Sequence, residues 1–245
     1  MEKAEFENIY KNETTHYYYV DSHELVIDLI KHHTQYAANM RILDAGCGTG
    51  LLGIKLQSFG QVVGVDINPH ALEYARKRGL PVQKASLLRL PFKNGTFDVI
   101  ISVDVLYHVQ ISDDVRALRE LHRVLSPGGT VILRVPAVPW LRRRHDALVF
   151  TRRRYDPANL CRALHDAKFS VIKVSYVQGL LFLFAVCMWV IEKLVGPKRP
   201  RSDIFPLPRI INSAILTVLR LERNVSQFIQ LPIGLGLVAV AKKTP

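Results

Sequence analysis

The chain has few cysteines and few acidic residues, and these shortages exclude several classes of protein. Cys47, Cys161 and Cys187 lie far apart and form no CxxC pair. The sequence therefore predicts neither a disulfide scaffold nor a metal site, and this cysteine usage is typical of a reducing, cytoplasmic setting. Asp and Glu number 21 against 33 Lys and Arg, a net charge of +12. We expect either an anionic partner or a basic, solvated face.

A hydrophobic run long enough to cross a membrane is also missing. Ser175–Ile191 has 17 residues without a charge, and a spanning helix needs about 20 apolar residues. If Phe169–Val177 and Leu235–Ala241 pair in one sheet, both ends of the insert between them lie on one side, which excludes a single span. Arg134–Arg209 holds 15 Lys and Arg against 5 Asp and Glu. The insert therefore favours an interfacial hairpin at the inner face of an anionic membrane, or a lid or dimer interface that never meets lipid.

Short apolar strands alternate with helical segments along most of the chain. Strands are predicted to end near Asp44 and Asp66, with further strands at 81–85, 97–102, 130–135, 169–177 and 235–241. Apolar strands at this spacing predict an α/β fold with a parallel sheet covered on both faces. A helix is expected from an N-cap at Asp21, and another from Asp113 to Leu125, stopped by Pro127-Gly-Gly129.

The glycine-rich segment Arg41-Ile-Leu-Asp-Ala-Gly-Cys-Gly-Thr-Gly50 joins the first strand to a helix. Glycines let the backbone turn tightly and approach a ligand, and the free N–H groups of a helix start favour polar or negative atoms. The segment from Gly48 to Gly53 also matches GxGxxG, with Asp66 available for a ribose. A nicotinamide oxidoreductase is therefore one alternative. Asp44, however, stands before the glycines, where dinucleotide sites usually keep an apolar residue.

Four motifs together resemble class I (Rossmann-like) S-adenosylmethionine-dependent methyltransferases. They are Leu43-Asp-Ala-Gly-Cys-Gly-Thr-Gly50, Gly64-Val-Asp66, Leu90-Pro-Phe92 with Phe97-Asp98, and Arg123-Val-Leu-Ser-Pro-Gly-Gly129. The resemblance implies a seven-stranded sheet of order 3-2-1-4-5-7-6 with the last strand antiparallel. It also implies one domain over 1–245, with an N-terminal cap at 1–37, a cofactor core at 38–135 and an acceptor half at 136–245 that contains an insert at about 178–232. A weaker likeness is to a bacterial subgroup of unassigned substrate, often found near lipid-glycan and polyprenyl pathways.

The resemblance also implies which residues bind S-adenosylmethionine. Asp44 and the glycines should line its methionine end, and Asp66 should accept both ribose hydroxyls. The adenine should lie near Ile67 and the Ser86-Leu87 turn. The full cofactor set is Asp44, Gly46, Cys47, Gly48, Gly50, Asp66, Ile67, Ser86, Leu87 and Val103.

The acceptor side is less defined by the sequence. His108, after the fourth strand, is a candidate general base or a packing residue, and His145 beside Asp146 is a second candidate. Tyr18, Tyr107, Arg153, Arg154 and Tyr155 are candidate substrate contacts, the arginines for a phosphate or carboxylate. We expect O-methylation of a hydrophobic or lipid-linked small molecule, with nucleic acid an unlikely substrate. A non-catalytic cofactor-binding partner subunit is the alternative outside enzymology.

Overall fold

A computed structural model of the chain describes residues 3–34, 39–196, 202–226 and 228–244. Lys198, Arg199 and Arg201, which contribute to the basic flank of the apolar insert, lie outside the described residues. The helices and strands, in chain order, are α1 Lys3–Asn12, α2 Tyr17–His33, β1 Met40–Ala45, α3 Leu51–Leu56, β2 Gly60–Asp66, α4 Pro69–Lys77, β3 Val82–Lys84, β4 Phe97–Val103, α5 Asp114–Val124, β5 Leu125–Pro136, α6 Arg144–Leu148, α7 Pro157–Asp166, β6 Phe169–Val177, α8 Gly179–Val195, α9 Arg209–Val225 and β7 Gly236–Lys243.

The seven strands form one sheet, and the predicted order β3-β2-β1-β4-β5-β7-β6 is confirmed. The first five strands pair in parallel, whereas β7 pairs antiparallel with both β5 and β6. The carboxyl ends of β1, β4 and β5 therefore meet at one edge, which is where open α/β sheets bind their ligands.

Helix starts follow local side-chain chemistry. Asn68 accepts a hydrogen bond from the His70 N–H to cap α4, and Pro69 occupies the first turn. Asp113 and Asp156 cap α5 and α7 in the same way. These caps satisfy donors that a helix start leaves unpaired, so the sequence could place these three helices.

Two predicted boundaries are wrong, for reasons that lie in tertiary contacts. Helix α2 begins at Tyr17, not at Asp21, because the His16 side chain caps it, and Asp21 is buried inside the helix. The Pro-Gly-Gly segment does not separate α5 from the next strand. Strand β5 already starts at Leu125, and the register shifts between the Phe97 and Val99 pairs, which leaves a bulge with Gly128 at φ +74°.

Apolar side chains fill both faces of the sheet. One face carries Leu43, Ile100 and Leu133 under α5 and α7, and the other carries Ile42 and Ile101 under α2, α3 and α4. The predicted insert is a pair of helices, α8 and α9. In the described part of the chain no helix has both the length and the apolar character that a membrane span requires.

Candidate active site

A cavity of about 750 Å³ opens at the carboxyl ends of β1, β4 and β5. Helix α2 and the segment before it cover one side, and α6, α8 and the 203–205 segment cover the other. The glycine loop and the end of β2 form one end of the cavity, and mostly apolar side chains form the rest.

The glycine loop shapes the cofactor end. Gly46 has φ +91°, and a Cβ there would come within 2.2 Å of a Val105 methyl. Gly48 has φ +53°, and a Cβ there would meet nothing within 4 Å. The loop is anchored because the N–H groups of Gly46 and Cys47 both donate to the Val65 carbonyl, at 2.8 and 2.9 Å. The backbone is therefore held in a left-handed turn beside open space, as a close ligand approach requires.

Two carboxylates line this open space: Asp44 is buried and Asp66 is half-buried. Asp66 accepts from the N–H groups of Gly48 at 3.0 Å and Asn68 at 2.8 Å, which orients it and leaves lone pairs for two hydroxyls. Asp44 is 2% exposed, and its Oδ2 has no hydrogen-bond partner among the described residues. Burial, and then the nearby Asp66 charge, raise the pKa of Asp44 to about 7. The residues present fit S-adenosylmethionine: the unpartnered carboxylate of Asp44 suits its α-ammonium, and the free lone pairs of Asp66 suit the ribose hydroxyls.

The other predicted cofactor residues divide into two groups. Ile67, Ser86, Leu87 and Val103 line the cavity together with Cys47. Gly50 does not. It precedes α3 at φ +84°, and a Cβ there would come within 2.8 Å of Ala75, so this glycine allows close packing of α3 on α4.

Helices α1 and α2 are fastened over the cofactor end by contacts that sequence reasoning missed. Glu13 accepts a hydrogen bond from Thr49 of the glycine loop and forms an ion pair with Arg78 at 2.7 Å. The Arg78 guanidinium also stacks on Tyr10, 4.2 Å from the ring centroid. These partners are tens of residues apart in sequence, so no local motif could have revealed them.

Tyr18 belongs to a buried polar cluster at the acceptor end. Its hydroxyl donates to Asp104 at 2.7 Å and accepts from Arg134 at 2.7 Å, and Arg134 also forms an ion pair with Asp104. Arg134 donates further to Gln178 at 2.9 Å. Burial is the main cause that raises the pKa of Tyr18. The signal in the sequence that could have revealed this cluster is Arg134, the single charged residue in an otherwise apolar stretch of β5.

The two candidate catalytic histidines line the cavity with one nitrogen already engaged. His108 Nδ1 accepts from the Gln110 N–H at 3.2 Å, and His145 Nδ1 accepts from the Asp203 N–H at 3.2 Å. Burial lowers the pKa of His108 to about 4, so its ring is neutral at pH 7. A neutral ring whose Nδ1 accepts carries its proton on Nε2, and it therefore presents a donor.

Asp146 does not hydrogen-bond to the neighbouring His145. Asp146 instead binds Arg154 through both oxygens at 3.0 Å and caps α6 by accepting from the Arg143 N–H. Adjacent residues of a helix point in different directions, so Asp146 cannot orient its neighbour.

Some of the remaining candidate substrate residues line the cavity, and others do not. Tyr107 and Arg154 line the cavity with Tyr18, but Arg153 and Tyr155 do not. Tyr155 is fully buried and donates to Leu106 O at 3.1 Å and Asp114 at 2.9 Å. Arg153 stacks on Tyr155 and pairs with Asp114 at 3.2 Å, so both residues hold this segment against α5.

The basic run 142–144 and 152–154 is largely neutralised within the fold. Arg143 pairs with Asp203 at 2.8 Å and Glu192 at 3.1 Å, and Arg152 pairs with Asp114. Arg144 donates to the carbonyl of Gly196 at 2.8 Å. Arginines of this run therefore tie the segment to α5, α8 and the 203–205 segment.

Residues 43–133 match a family model described as a methyltransferase domain. A probable tRNA methyltransferase 9B of Mus musculus is 32% identical over 148 residues, which are 60% of this chain and 32% of the relative. A demethylmenaquinone methyltransferase of Thermus thermophilus is 41% identical over 113 residues, 42% of this chain and 50% of the relative. The chain thus spans a third to a half of the length of these relatives.

Among solved structures, a possible histamine N-methyltransferase of Thermotoga maritima superimposes with a TM-score of 0.64 at 22% identity, covering 98% of this chain and 96% of that one. At this identity the likeness shows the fold. The dinucleotide alternative gains no support from these comparisons. The sheet order, the glycine loop with its two buried carboxylates, and the match over residues 43–133 identify a class I S-adenosylmethionine-dependent methyltransferase domain in this chain.

Proposed function

We propose that the chain transfers the methyl group of S-adenosylmethionine to an oxygen of a hydrophobic small molecule at a membrane surface. The observation that carries this proposal is the apolar acceptor end of the cavity. Much of its wall beyond the glycine loop is aliphatic or aromatic, and the polar side chains there include His108, His145 and Arg154. The apolar and aromatic residues are Tyr107, Leu141, Val149, Phe150, Leu181, Phe184, Met188, Phe205 and Leu235. Apolar walls with few polar groups are typical of small-molecule sites, whereas nucleic-acid surfaces are open and positively charged.

Different segments of the chain have different proposed roles. We assign residues 38–135 to a cofactor-binding core, 136–245 to the acceptor side and 1–37 to an N-terminal cap. Tyr107 and His108 follow β4 in the core and line the same cavity. When bound, the cofactor supplies an activated methyl group on a sulfonium. The chain's own contribution is to align the acceptor with that group and to exclude water, which the closed cap and α8 favour.

The mouth of the cavity supports entry from an apolar phase. Phe184 and Phe205 line the cavity and are 64% and 48% exposed. They continue an outward face of α8 that carries no charge and includes Leu183 and Leu194, which are 66% and 82% exposed. A contiguous exposed apolar stripe of this kind marks an interaction site. We propose that it lies in the headgroup region of a lipid surface, where a lipid-linked acceptor can reach the cavity.

A second candidate substrate is tRNA, which the sequence alone made unlikely. Relatives in mouse and human are named probable tRNA methyltransferases. Their matches span 60% and 56% of this chain, so they support the cofactor half more than the choice of acceptor. Relatives named for menaquinone and sterol methylation support a hydrophobic acceptor, and the sterol enzyme is named as a C-methyltransferase, so carbon is the alternative methylated atom.

The test has two stages. Calorimetric titration with S-adenosylmethionine and S-adenosylhomocysteine should show binding, and Asp66→Ala should weaken it about 100-fold, because two hydroxyl–carboxylate hydrogen bonds contribute about 3 kcal/mol together. Glu73→Ala removes an exposed acid and serves as control. Labelled cofactor is then incubated separately with lipid and quinone extracts and with bulk tRNA. Label in tRNA alone would overturn the small-molecule proposal.

A further inference from the structure

Three of the four imidazoles that line the cavity share an arrangement that limits their chemistry. His16, His108 and His145 each accept a backbone N–H at Nδ1, from Tyr18 at 3.3 Å, Gln110 at 3.2 Å and Asp203 at 3.2 Å. In the neutral ring the proton then resides on Nε2. These three histidines therefore offer an N–H donor rather than the free lone pair that a general base needs. His23 also lines the cavity, and its Nδ1 is buried without a partner among the described residues.

The carboxylates of the acceptor end are engaged as well. Asp104 pairs with Arg134, Asp146 with Arg154, and Asp203 with Arg143. Each of these three carboxylates therefore already accepts hydrogen bonds from a guanidinium. On the cap, Glu13 is held by Thr49 and Arg78, and Glu5 accepts from the Ser202 hydroxyl at 2.7 Å.

The tyrosines add no base. Tyr17, Tyr18, Tyr19 and Tyr107 line the cavity, and burial raises the pKa of each hydroxyl above its usual value. They stay protonated at neutral pH and can only donate or accept hydrogen bonds.

Unused donors outnumber unused acceptors among the residues of this cavity. His16 Nε2, Arg134 Nε and Arg143 Nε are buried and have no hydrogen-bond partner among the described residues. The matching free acceptor, Asp44 Oδ2, lies at the cofactor end. A surplus of buried N–H groups is costly unless a ligand brings oxygen acceptors or negative charge.

We propose that the acceptor is an apolar organic acid that enters as a preformed oxyanion, held by the Nε2–H groups of His108 and His145, and that neither of these two histidines removes a proton during the transfer. This inference rests on the proposed function. In the step, an oxygen lone pair of the anion forms the O–CH₃ bond while the S–CH₃ bond breaks and its electron pair returns to sulfur. Anion and sulfonium become a neutral ester or ether and a neutral thioether, so no proton has to move.

The test compares three probes that share one apolar tail: octanoate, octan-1-ol and octylammonium, each below its micelle-forming range. Calorimetry and thermal shift are performed on the full chain saturated with S-adenosylhomocysteine, whose own carboxylate is then already bound. We expect octanoate to bind at least tenfold more tightly than the other two. Acetate controls for general attraction of anions to a chain of net charge +12 and should give no shift.

A variant pair tests the role of His108 as a positioning residue. His108→Gln keeps an N–H donor near the place of Nε2, and His108→Phe keeps the ring without a donor. We expect octanoate affinity within about threefold of the parent for His108→Gln and about tenfold lower for His108→Phe, with octanol affinity equal in both.

Octanol or octylammonium binding as tightly as octanoate, in the parent chain, overturns the inference without any variant. Equal octanoate affinity for the Gln and Phe variants removes His108 from the proposal. Failure of the cofactor titration is a different result, because it removes the proposed function itself.

Discussion

Replacing Arg134 by methionine should destabilise the fold strongly, because this side chain holds together three segments that meet at the cavity. Arg134 is 2% exposed, forms an ion pair with Asp104 and hydrogen bonds with Tyr18 and Gln178. Methionine fills a similar volume, so the main loss is electrostatic. Removing one partner of a buried ion pair typically costs about 3–5 kcal/mol. The Asp104 side chain keeps 21% of its exposure, so water offsets part of this cost, and we expect about 3 kcal/mol.

For a chain of this size the change corresponds to a fall in Tm of about 6–12 °C. Thermal and urea unfolding of four chains should measure it: the parent, Arg134→Met, Asp104→Asn and the double variant. The double variant leaves no buried charge without a partner, so it should be more stable than Arg134→Met alone. Arg116→Met removes an exposed arginine of α5 and should change stability by about 0.5 kcal/mol or less.

Two results would refute this reasoning. One is an Arg134→Met chain as stable as the Arg116→Met control, which would mean that the buried cluster contributes little. The other is strict additivity in the double variant, which would mean that Arg134 and Asp104 do not stabilise each other.

Three further predictions concern the cofactor loop and the outer helices. Gly48→Ala should keep most of the stability, because a Cβ there meets nothing within 4 Å, and should lose cofactor affinity at least tenfold. Gly46→Ala should instead lower Tm, because its Cβ would lie 2.2 Å from a valine methyl. Calorimetry measures the affinity, and thermal unfolding measures the stability. The pKa of Asp44 is raised to about 7, so ionisation of this carboxyl lowers the stability of the ligand-free chain as pH rises from about 4 to 7. The ionised form is the one that binds the ammonium group of the cofactor. Cofactor affinity should therefore fall about 30-fold from pH 8 to pH 5.5, and an Asp44→Asn chain with the same pH dependence would contradict this. Leu183→Glu, on the exposed stripe of α8, should reduce sedimentation of the chain with anionic liposomes. The control Ser213→Glu, on α9, should not. An equal loss of sedimentation in both variants would argue against a bilayer contact.

The cofactor half could be predicted because its signals are local. Asp44, Gly46 and Gly48 lie within five residues of one another, and Asp66 ends the next strand, so chain connectivity alone brings them to one sheet edge. The parallel pairing also follows from local alternation of strands and helices, since crossover connections are restricted in hand and length, whereas the strand order was implied by the family resemblance.

The acceptor half could not be predicted in the same way because its contacts join distant segments. Tyr18 is 116 residues from Arg134, and Arg143 is 60 residues from Asp203. From sequence the arginines of 142–144 and 152–154 resemble a free cationic surface. The fold pairs several of them with acids or carbonyls from other elements, because a buried or half-buried guanidinium is stable only when its donors are satisfied.

By itself the sequence determined the fold class, the cofactor loop and the two carboxylates of the cofactor end, since these depend on backbone geometry and on neighbours along the chain. Only the tertiary structure decided the protonation states and partners of the acceptor end. Whether His108 can act as a base depends on a backbone N–H bound to its Nδ1 and on its burial, which lowers its pKa. Burial and hydrogen-bond satisfaction are properties of the packed molecule. They decide which polar side chains of the cavity present hydrogen-bond donors.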